Sequence, residues 1–299
     1  MKNNFKSNFI VVGDTHIRYT APSFRKETFY NELLNKIEQI NDLAEKYDAT
    51  VICLGDFFNN YVEDYFEAIA FDLSSLTKNW YSIIGNHDCK SSNGDLRGTS
   101  FGVMVKSGLL NILEDTTDFD AFHYYKKDLF EKQNTNKKIA FIHDYVMPKG
   151  TKENFEYKEC NENQYDFVFC GHYHYPFDVQ VGHTRYINPG SLMRLTVSEL
   201  KLNRNPEVIL YIGETQEIKH ISLKVKPLID IVEKQEESIN KTFDSKFVDM
   251  LLSNNLVNNN GSDITNLLKQ NKVENEVVEY VDKKLKEIVW LNRKRLMKF

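Results

Sequence analysis

The sequence predicts an α/β fold: a layered sheet flanked by helices, with a helical C-terminal appendage. Three observations predict it. Short β-branched or aromatic runs alternate with segments of helical periodicity, each strand-like run stops at a small polar motif, and strand-like text ends at Pro227. Such alternation builds a sheet whose reactive loops lie at the carboxyl ends of strands. A chain of 299 residues is long enough to bury one full α/β core and carry a small accessory piece.

Taken in order, Phe9 to Val12, Thr50 to Leu54, Trp80 to Ile84, Lys138 to Ile142 and Tyr165 to Cys170 read as buried strands. Between the first two, Leu33, Leu34, Ile37, Ile40 and Leu43 recur at helical spacing, so Asn8 to Leu54 reads as strand, helix, strand. A second helical segment near Val62 to Leu76 leads into the third strand. From Glu207 to Val225, two β-like runs surround a Gly-Glu-Thr turn, the pattern of a closing hairpin. Residues 227–299 are rich in Lys, Glu, Asn, Leu and Val, broken by NNNGSD at 258–263, and read as helical. The division expected is therefore 1–226 and 227–299.

Composition narrows the classes. Hydrophobic residues make up 41% and charged residues 27%, the balance of a globular protein. No apolar run approaches the roughly 18–20 residues that cross a bilayer, and the N-terminal text lacks a signal-peptide pattern, so a cytoplasmic protein is expected. Cys53, Cys89, Cys160 and Cys170 show no CxxC pairing, which argues for reduced thiols. A net charge of −5 argues against coating nucleic acid through the overall field, so any such contact must be local or shared with a partner.

The chemistry lies at the strand ends. A dinuclear hydrolytic site needs oxygen and imidazole ligands converging on two cations, with one carboxylate able to bridge them. In GDTH, Asp14 and His16 are two apart and share a face of an extended segment. Asp56 in LGDFF is the natural bridge. Asn86 in GNHD offers a carbonyl oxygen beside the His87 imidazole, FIHD ends a strand with His143, and CGHYH supplies His172 and His174. Taken singly, each has an ordinary explanation: an Asp-x-His is a cap or a satisfied polar pair, and a GD dipeptide is a turn. The conjunction decides, because five of the eight histidines fall in these motifs. His123, His183 and His220 lie outside them and read as surface or packing residues.

The series GDTH, GDFF, GNHD, FIHD and GHYH, from about Phe9 to Ser191, resembles the calcineurin-like metallophosphoesterase superfamily. The resemblance implies a β sandwich flanked by helices, with Asp14, His16, Asp56 and His174 around one ion and Asp56, Asn86, His143 and His172 around the other. It puts His87 at the catalytic position, giving a proton to the leaving oxygen, with Asp88 orienting its ring. An imidazole with a pKa near 6.5 suits an acid at neutral pH.

Downstream, YINPGSLMRLTVSE, Tyr186 to Glu199, resembles nucleases of the Mre11 and SbcD type, particularly the phage members. That resemblance implies a DNA exo- or endonuclease using two divalent ions, manganese foremost, paired with a Rad50 or SbcC type coiled-coil ATPase in recombination, repair or DNA degradation, and compatible with a homodimer. One position departs: many relatives carry His three residues after the bridging Asp, where this chain has Asn59, which cannot exchange protons near neutral pH. Asn59 either shapes a turn or alters cleavage preference. In the tail, Val277, Val281, Leu285, Ile288 and Leu296, with Val278 and Val289, form an apolar stripe at 3.6 spacing that covers either the catalytic domain or a partner groove. Arg293, Lys294, Arg295 and Lys298 suit a helix C-terminus or DNA phosphate. The competing functions are a stand-alone phosphatase or small-nucleotide phosphodiesterase, and a non-catalytic binding module.

Overall fold

The computed structural model describes residues 5–26, 28–126, 136–153, 155–196 and 205–226. The helical appendage at 227–299, its apolar stripe and its terminal basic residues lie outside the described residues, as does part of the stretch from Tyr186 to Glu199. Among the described residues, two sheets stack face to face. The first has six strands, in the spatial order β13 (Glu217–Ser222), β12 (Glu207–Ile212), β1 (Asn8–Val12), β2 (Ala49–Cys53), β3 (Tyr81–Ser82) and β4 (Asn111–Ile112). The second has five, in the order β10 (Phe177–Val181), β11 (Thr184–Asn188), β9 (Phe167–Gly171), β6 (Ile139–His143) and β5 (Phe119–Phe122). A parallel pair, β7 (Val146–Met147) and β8 (Lys158–Glu159), stands apart.

Period-two alternation decides what each strand buries. On β1, Phe9 and Val11 face the second sheet, where they join Phe119, Phe141 and Phe169 in the core between the sheets. Ile10 and Val12 face the opposite way and meet Phe29, Leu33, Ile37 and Ile40 of α1 (Phe29–Lys46). The outer face of the second sheet buries Ala140, Ile142, Val168, Cys170 and Tyr186. The layered α/β sandwich flanked by helices is thus the fold the sequence predicted, and the four cysteines are free and buried.

Two elements are shorter than expected, each for a local reason. The third strand ends at Ser82 because the Ile84 amide donates to the ring Nδ1 of His123 at 3.0 Å and not to a neighbouring strand. His123 is therefore a packing residue. The second helix, α2 (Phe66–Leu73), begins late because Tyr65 adopts a left-handed conformation, φ 59°, through which a right-handed helix cannot extend. A third helix, α3 (Ser100–Lys106), carried no clear periodicity in the sequence; Thr99 caps it by accepting from the Gly102 amide. No helix of the described residues is long and apolar enough to cross a membrane.

Candidate metal centre

β1, β2 and β3 run parallel to one another, as do β6 and β9, and the carboxyl ends of both sets open on one edge of the sandwich. All seven sequence-predicted ligands come together there. Three overlapping groups can each hold a cation, with ligand atoms within 4.8 Å of one another: Asp14, His16 and His174; Asp56, His143 and His172; and His16, Asp56 and His87. Asp56 belongs to two of them, as a bridge must. Asn86 joins through its Oδ1, 3.0 Å from the Nε2 of His143.

Local backbone geometry aims these side chains. His16, Asp56 and His172 have φ values of 43°, 46° and 79°, a left-handed region that costs a non-glycine residue about 1 kcal/mol or more. Each follows a strand, and the turn swings the side chain off the strand line toward the common centre. Glycine is required beside them. Gly55 has φ 94°, and a Cβ on Gly85 would strike the Asp56 carboxylate and backbone.

Neighbouring hydrogen bonds hold the ligand side chains in place. Asp14 is fixed by the His172 amide, which donates to Oδ1 at 3.0 Å and Oδ2 at 3.1 Å. The His143 Nδ1–H donates to the Leu54 carbonyl at 2.7 Å, which turns its Nε2 toward Asn86 and Asp56. The Nε2 atoms of His16 and His174 lie 2.9 Å apart, and the buried Nδ1 of His16 has no hydrogen-bond partner. Two imidazole nitrogens aimed at one point, with Asp14 Oδ2 3.5 Å from that of His174, fit a cation between them.

Electrostatics agrees. Burial, reinforced by the rings of His174 and His87 against the pull of Asp56, holds His16 down at about 3. Burial beside His143 holds His172 down at about 2. Both are neutral imidazoles with lone pairs to share. His143 goes the other way, up to about 9: burial disfavours its charge, but Asp56, 3.4 Å from Nε2, outweighs it. Asp56 is correspondingly depressed, since His143, His16 and His87 overcome its burial. A cation held here by Asp56, His143 and His172 would take the place of the His143 proton.

His87 stands at the rim, its side chain 42% exposed, with Nε2 4.0 Å from Asp56 Oδ2. Its ring is set by the Asn59 backbone carbonyl, which accepts from Nδ1 at 2.6 Å. The orienting part expected of Asp88 therefore belongs to Asn59. Asp88 is fully buried and turns inward, accepting from the Phe58 amide at 3.1 Å and the Gly85 amide at 2.9 Å, because this satisfies the loop donors around it. Burial and the nearby Asp56 raise it to about 7. Asn59 thus matters through its main chain. Sequence could not reveal this, since a carbonyl carries no residue signature; the Tyr145 ring against His172, centroids 3.7 Å apart, was visible beside His143 in FIHDY.

A strap closes the site from behind. In NPGSLMR, the Leu192 amide donates to the Asp14 carbonyl at 2.8 Å and the Ser191 amide to the His174 carbonyl at 3.1 Å, so this segment ties the first metal loop to the last.

A sandwich whose two parallel strand sets converge on clustered His, Asp and Asn ligands defines a metal-dependent hydrolase of the phosphoesterase kind. The match to the calcineurin-like phosphoesterase superfamily domain spans residues 8–202, well over half of the chain, and the protein belongs to that superfamily. No curated protein matches the sequence. Among solved structures, the chain is similar to an archaeal phosphodiesterase at 16% identity and a TM-score of 0.40, covering 72% of this chain and 99% of that one. It is also similar to the zinc complex of Vps29 from Entamoeba histolytica, at 17% identity and a TM-score of 0.33, covering 72% and 98%. A third is a 5'-nucleotidase from Staphylococcus aureus, at 14% identity and a TM-score of 0.40, covering 82% and 58%. At these identities the superfamily match, not any one neighbour, carries the assignment.

Proposed function

We propose that the protein is a dinuclear phosphodiesterase acting on DNA, the nuclease subunit of an Mre11–Rad50 or SbcCD-like complex. The phosphodiester reading is carried by one observation: Asp56 lies between the two ligand sets, Oδ2 3.7 Å from His16 and Oδ1 3.4 Å from His143, while the His87 ring stands at the rim 4.0 Å from its Oδ2. Two divalent cations, manganese first among them, would be held by Asp14, His16, Asp56 and His174 and by Asp56, Asn86, His143 and His172. When bound, such ions supply Lewis-acid stabilisation of phosphate charge and of the attacking water. The residues do the rest. The His172 amide holds Asp14 in place, the Leu54 carbonyl holds His143, and the Asn59 carbonyl holds His87 Nδ1 so that Nε2 faces the centre, where it gives a proton to the leaving oxygen.

The choice of DNA rests on the resemblance of the NPGSLMR segment, supported by its direct hydrogen bond to the Asp14 loop. The choice of an ATPase partner rests on the same resemblance, with the apolar stripe in residues 227–299 as its docking face, and a cytoplasmic site of action belongs to the same reading. End-labelled DNA incubated with manganese, with and without a coiled-coil ATPase, tests the reading: cleavage that the ATPase stimulates is expected. Robust hydrolysis of p-nitrophenyl phosphate with DNA left intact would instead favour a stand-alone phosphatase.

A further inference from the structure

Two loops leave the metal centre side by side. His16 and Ile17 donate backbone bonds to Asp56 and Phe57 at 2.9 Å each, and the Asn59 amide donates to the Ile17 carbonyl at 3.1 Å, so the loops form a short parallel ladder. The ladder's inner end carries His16 and Asp56. Its outer end carries aromatic rings: Tyr19 lies against Tyr30, centroids 4.9 Å apart, and against Tyr65, 5.1 Å apart. Tyr19 is 42% and Tyr65 64% exposed, while Tyr30 is buried and anchored through its hydroxyl, which donates to Asp72 at 3.1 Å. Three residues of chain span at most about 11 Å, so Tyr19 stands within that distance of His16, Cα to Cα.

The rings border a cavity of about 550 Å³, within the range of ordinary ligand sites, lined also by Thr20, Pro22 and Arg25. Arg25 is built into its wall. It is 3% exposed, with Nη1 donating to the Arg194 carbonyl at 3.1 Å and Nη2 to Glu32 at 2.6 Å, but its buried Nε has no acceptor. A second sign of constraint is Tyr65 itself, whose left-handed backbone is an uncommon state for an aromatic residue. Helix α2 gains no side-chain cap from this residue. The strain sets the Tyr65 ring beside Tyr19.

Flat rings on the outside, a cavity walled by a buried guanidinium beside them and a phosphoester site one short loop away share one complementary ligand. We propose that the Tyr19–Tyr65 platform and the adjoining cavity bind a nucleobase of single-stranded DNA, from the nucleotide flanking the phosphodiester at the metal centre. This rests on the DNA reading above. The base stacks on the tyrosines, a contact every base can make, and its edge enters the cavity whose wall Arg25 helps to form. The platform thereby selects frayed or single-stranded ends over paired ones, whose bases already stack on each other.

A five-nucleotide strand with phosphorothioate linkages and one 2-aminopurine tests this by fluorescence, since stacking quenches the probe. Wild-type protein should quench it on binding, and the pair Tyr19→Ala and Tyr65→Ala should weaken affinity by about 10- to 100-fold. Tyr19→Phe with Tyr65→Phe should restore it, and a strand with an abasic site at the probe position should bind wild type and the alanine pair equally. Unchanged affinity in the alanine pair, or a loss that the phenylalanine pair does not restore, overturns the proposal. Should the alanine pair fail to melt cooperatively, a 5-iodouracil strand photo-crosslinked to wild-type protein decides: attachment at Tyr19 or Tyr65 supports the platform, and attachment elsewhere or none overturns it. Stacking without cleavage of DNA would remove the nuclease reading alone. Cleavage without any effect of the base would remove the platform alone.

Discussion

Two buried charged clusters flank the NPGSLMR strap, and they are built on opposite rules. On the metal side, Asp14 and Asp56 face five imidazoles, and the atoms that converge are ones with lone pairs: carboxylate oxygens, imidazole nitrogens and the Asn86 carbonyl. On the helix side, the single carboxylate of Glu32 faces three cations. Arg25 lies 2.6 Å and Lys36 3.0 Å from it, with Arg194 at 4.0 Å, and Lys36 and Arg25 also donate to the Leu192 and Arg194 carbonyls of the strap. Burial lowers Lys36 to about 8 despite Glu32. The first cluster has acceptors in excess and completes itself with cations from outside. The second already holds its cations and spends them on pinning the strap. Buried charge alone therefore does not mark an active site; the kind of atom left over does.

The largest effect should come from the shared carboxylate. Asp56→Asn removes the charged ligand that both ions would share, so bound metal and hydrolysis should be lost together. Elemental analysis beside an activity assay checks this; two retained ions with near-normal turnover would sink the site. His87→Ala sharpens the picture. It should keep both ions and the fold while turnover falls by about 10² to 10⁴, the worth of a general acid. Because His87 also lies within ligand range of His16 and Asp56, loss of metal in this variant would make it a ligand and not the acid.

How much of this was legible depended on whether the information resided in side-chain type. Asp14, His16, Asp56, Asn86, His143, His172 and His174 could be named because each ends a strand whose apolar text announces it, and the chain brings all seven together. The elements around them were harder. β10 carries FDVQV, a five-residue apolar–polar alternation too short to stand out beside the solid apolar runs, and none of its residues is fully buried. The second sheet as a layer was legible only through the family resemblance. The orientation of His87 was misassigned to Asp88, the neighbour in sequence, because the actual partner is a main-chain carbonyl at Asn59. Likewise Glu32 and Lys36 read as the polar face of an ordinary helix. Only the return of Leu192 to Arg194 from 156 or more residues away buries them.

The second cluster makes its own prediction, smaller and of another kind. Glu32→Gln leaves Arg25, Lys36 and Arg194 buried without their common counter-charge, which should cost about 3–5 kcal/mol, the usual penalty for breaking a buried ion pair from one side. For a chain of this size that is a drop in Tm of about 10 °C. Metal content in the folded fraction should persist, since Glu32 touches no ligand. A variant that melts normally but loses its ions would mean the strap's charges tune the centre, and the contrast between the clusters would fail.

A third cluster, reached by solvent, gives the smallest effect and the clearest dependence on pH. β13 and β10 are the outer strands of the two sheets, and His220 joins them: Nδ1 lies 2.9 Å from Glu207 on β12, and Nε2 lies 2.7 Å from Asp178 on β10. Arg185 also grips Asp178, at 2.8 Å through both Nε and Nη2, so the carboxylate is shared. Burial works against the His220 charge, but the two carboxylates win and raise its pKa above 6.5, while that of Asp178 is lowered. A raised folded-state pKa means the folded protein holds this proton more tightly than the unfolded chain does. The stabilisation is then fully present below about pH 6.5, the unfolded value, and is lost as pH rises through the folded value. With the ring 36% exposed, solvent screening keeps the contribution small, within the range of about 0–1 kcal/mol for surface pairs. His220→Gln should therefore lower Tm by about 1–3 °C at pH 5.5, and the gap should narrow as pH rises through the folded value above 6.5. A gap that stayed constant across that range would show that His220 joins the sheets by packing and neutral hydrogen bonds, not by its charge.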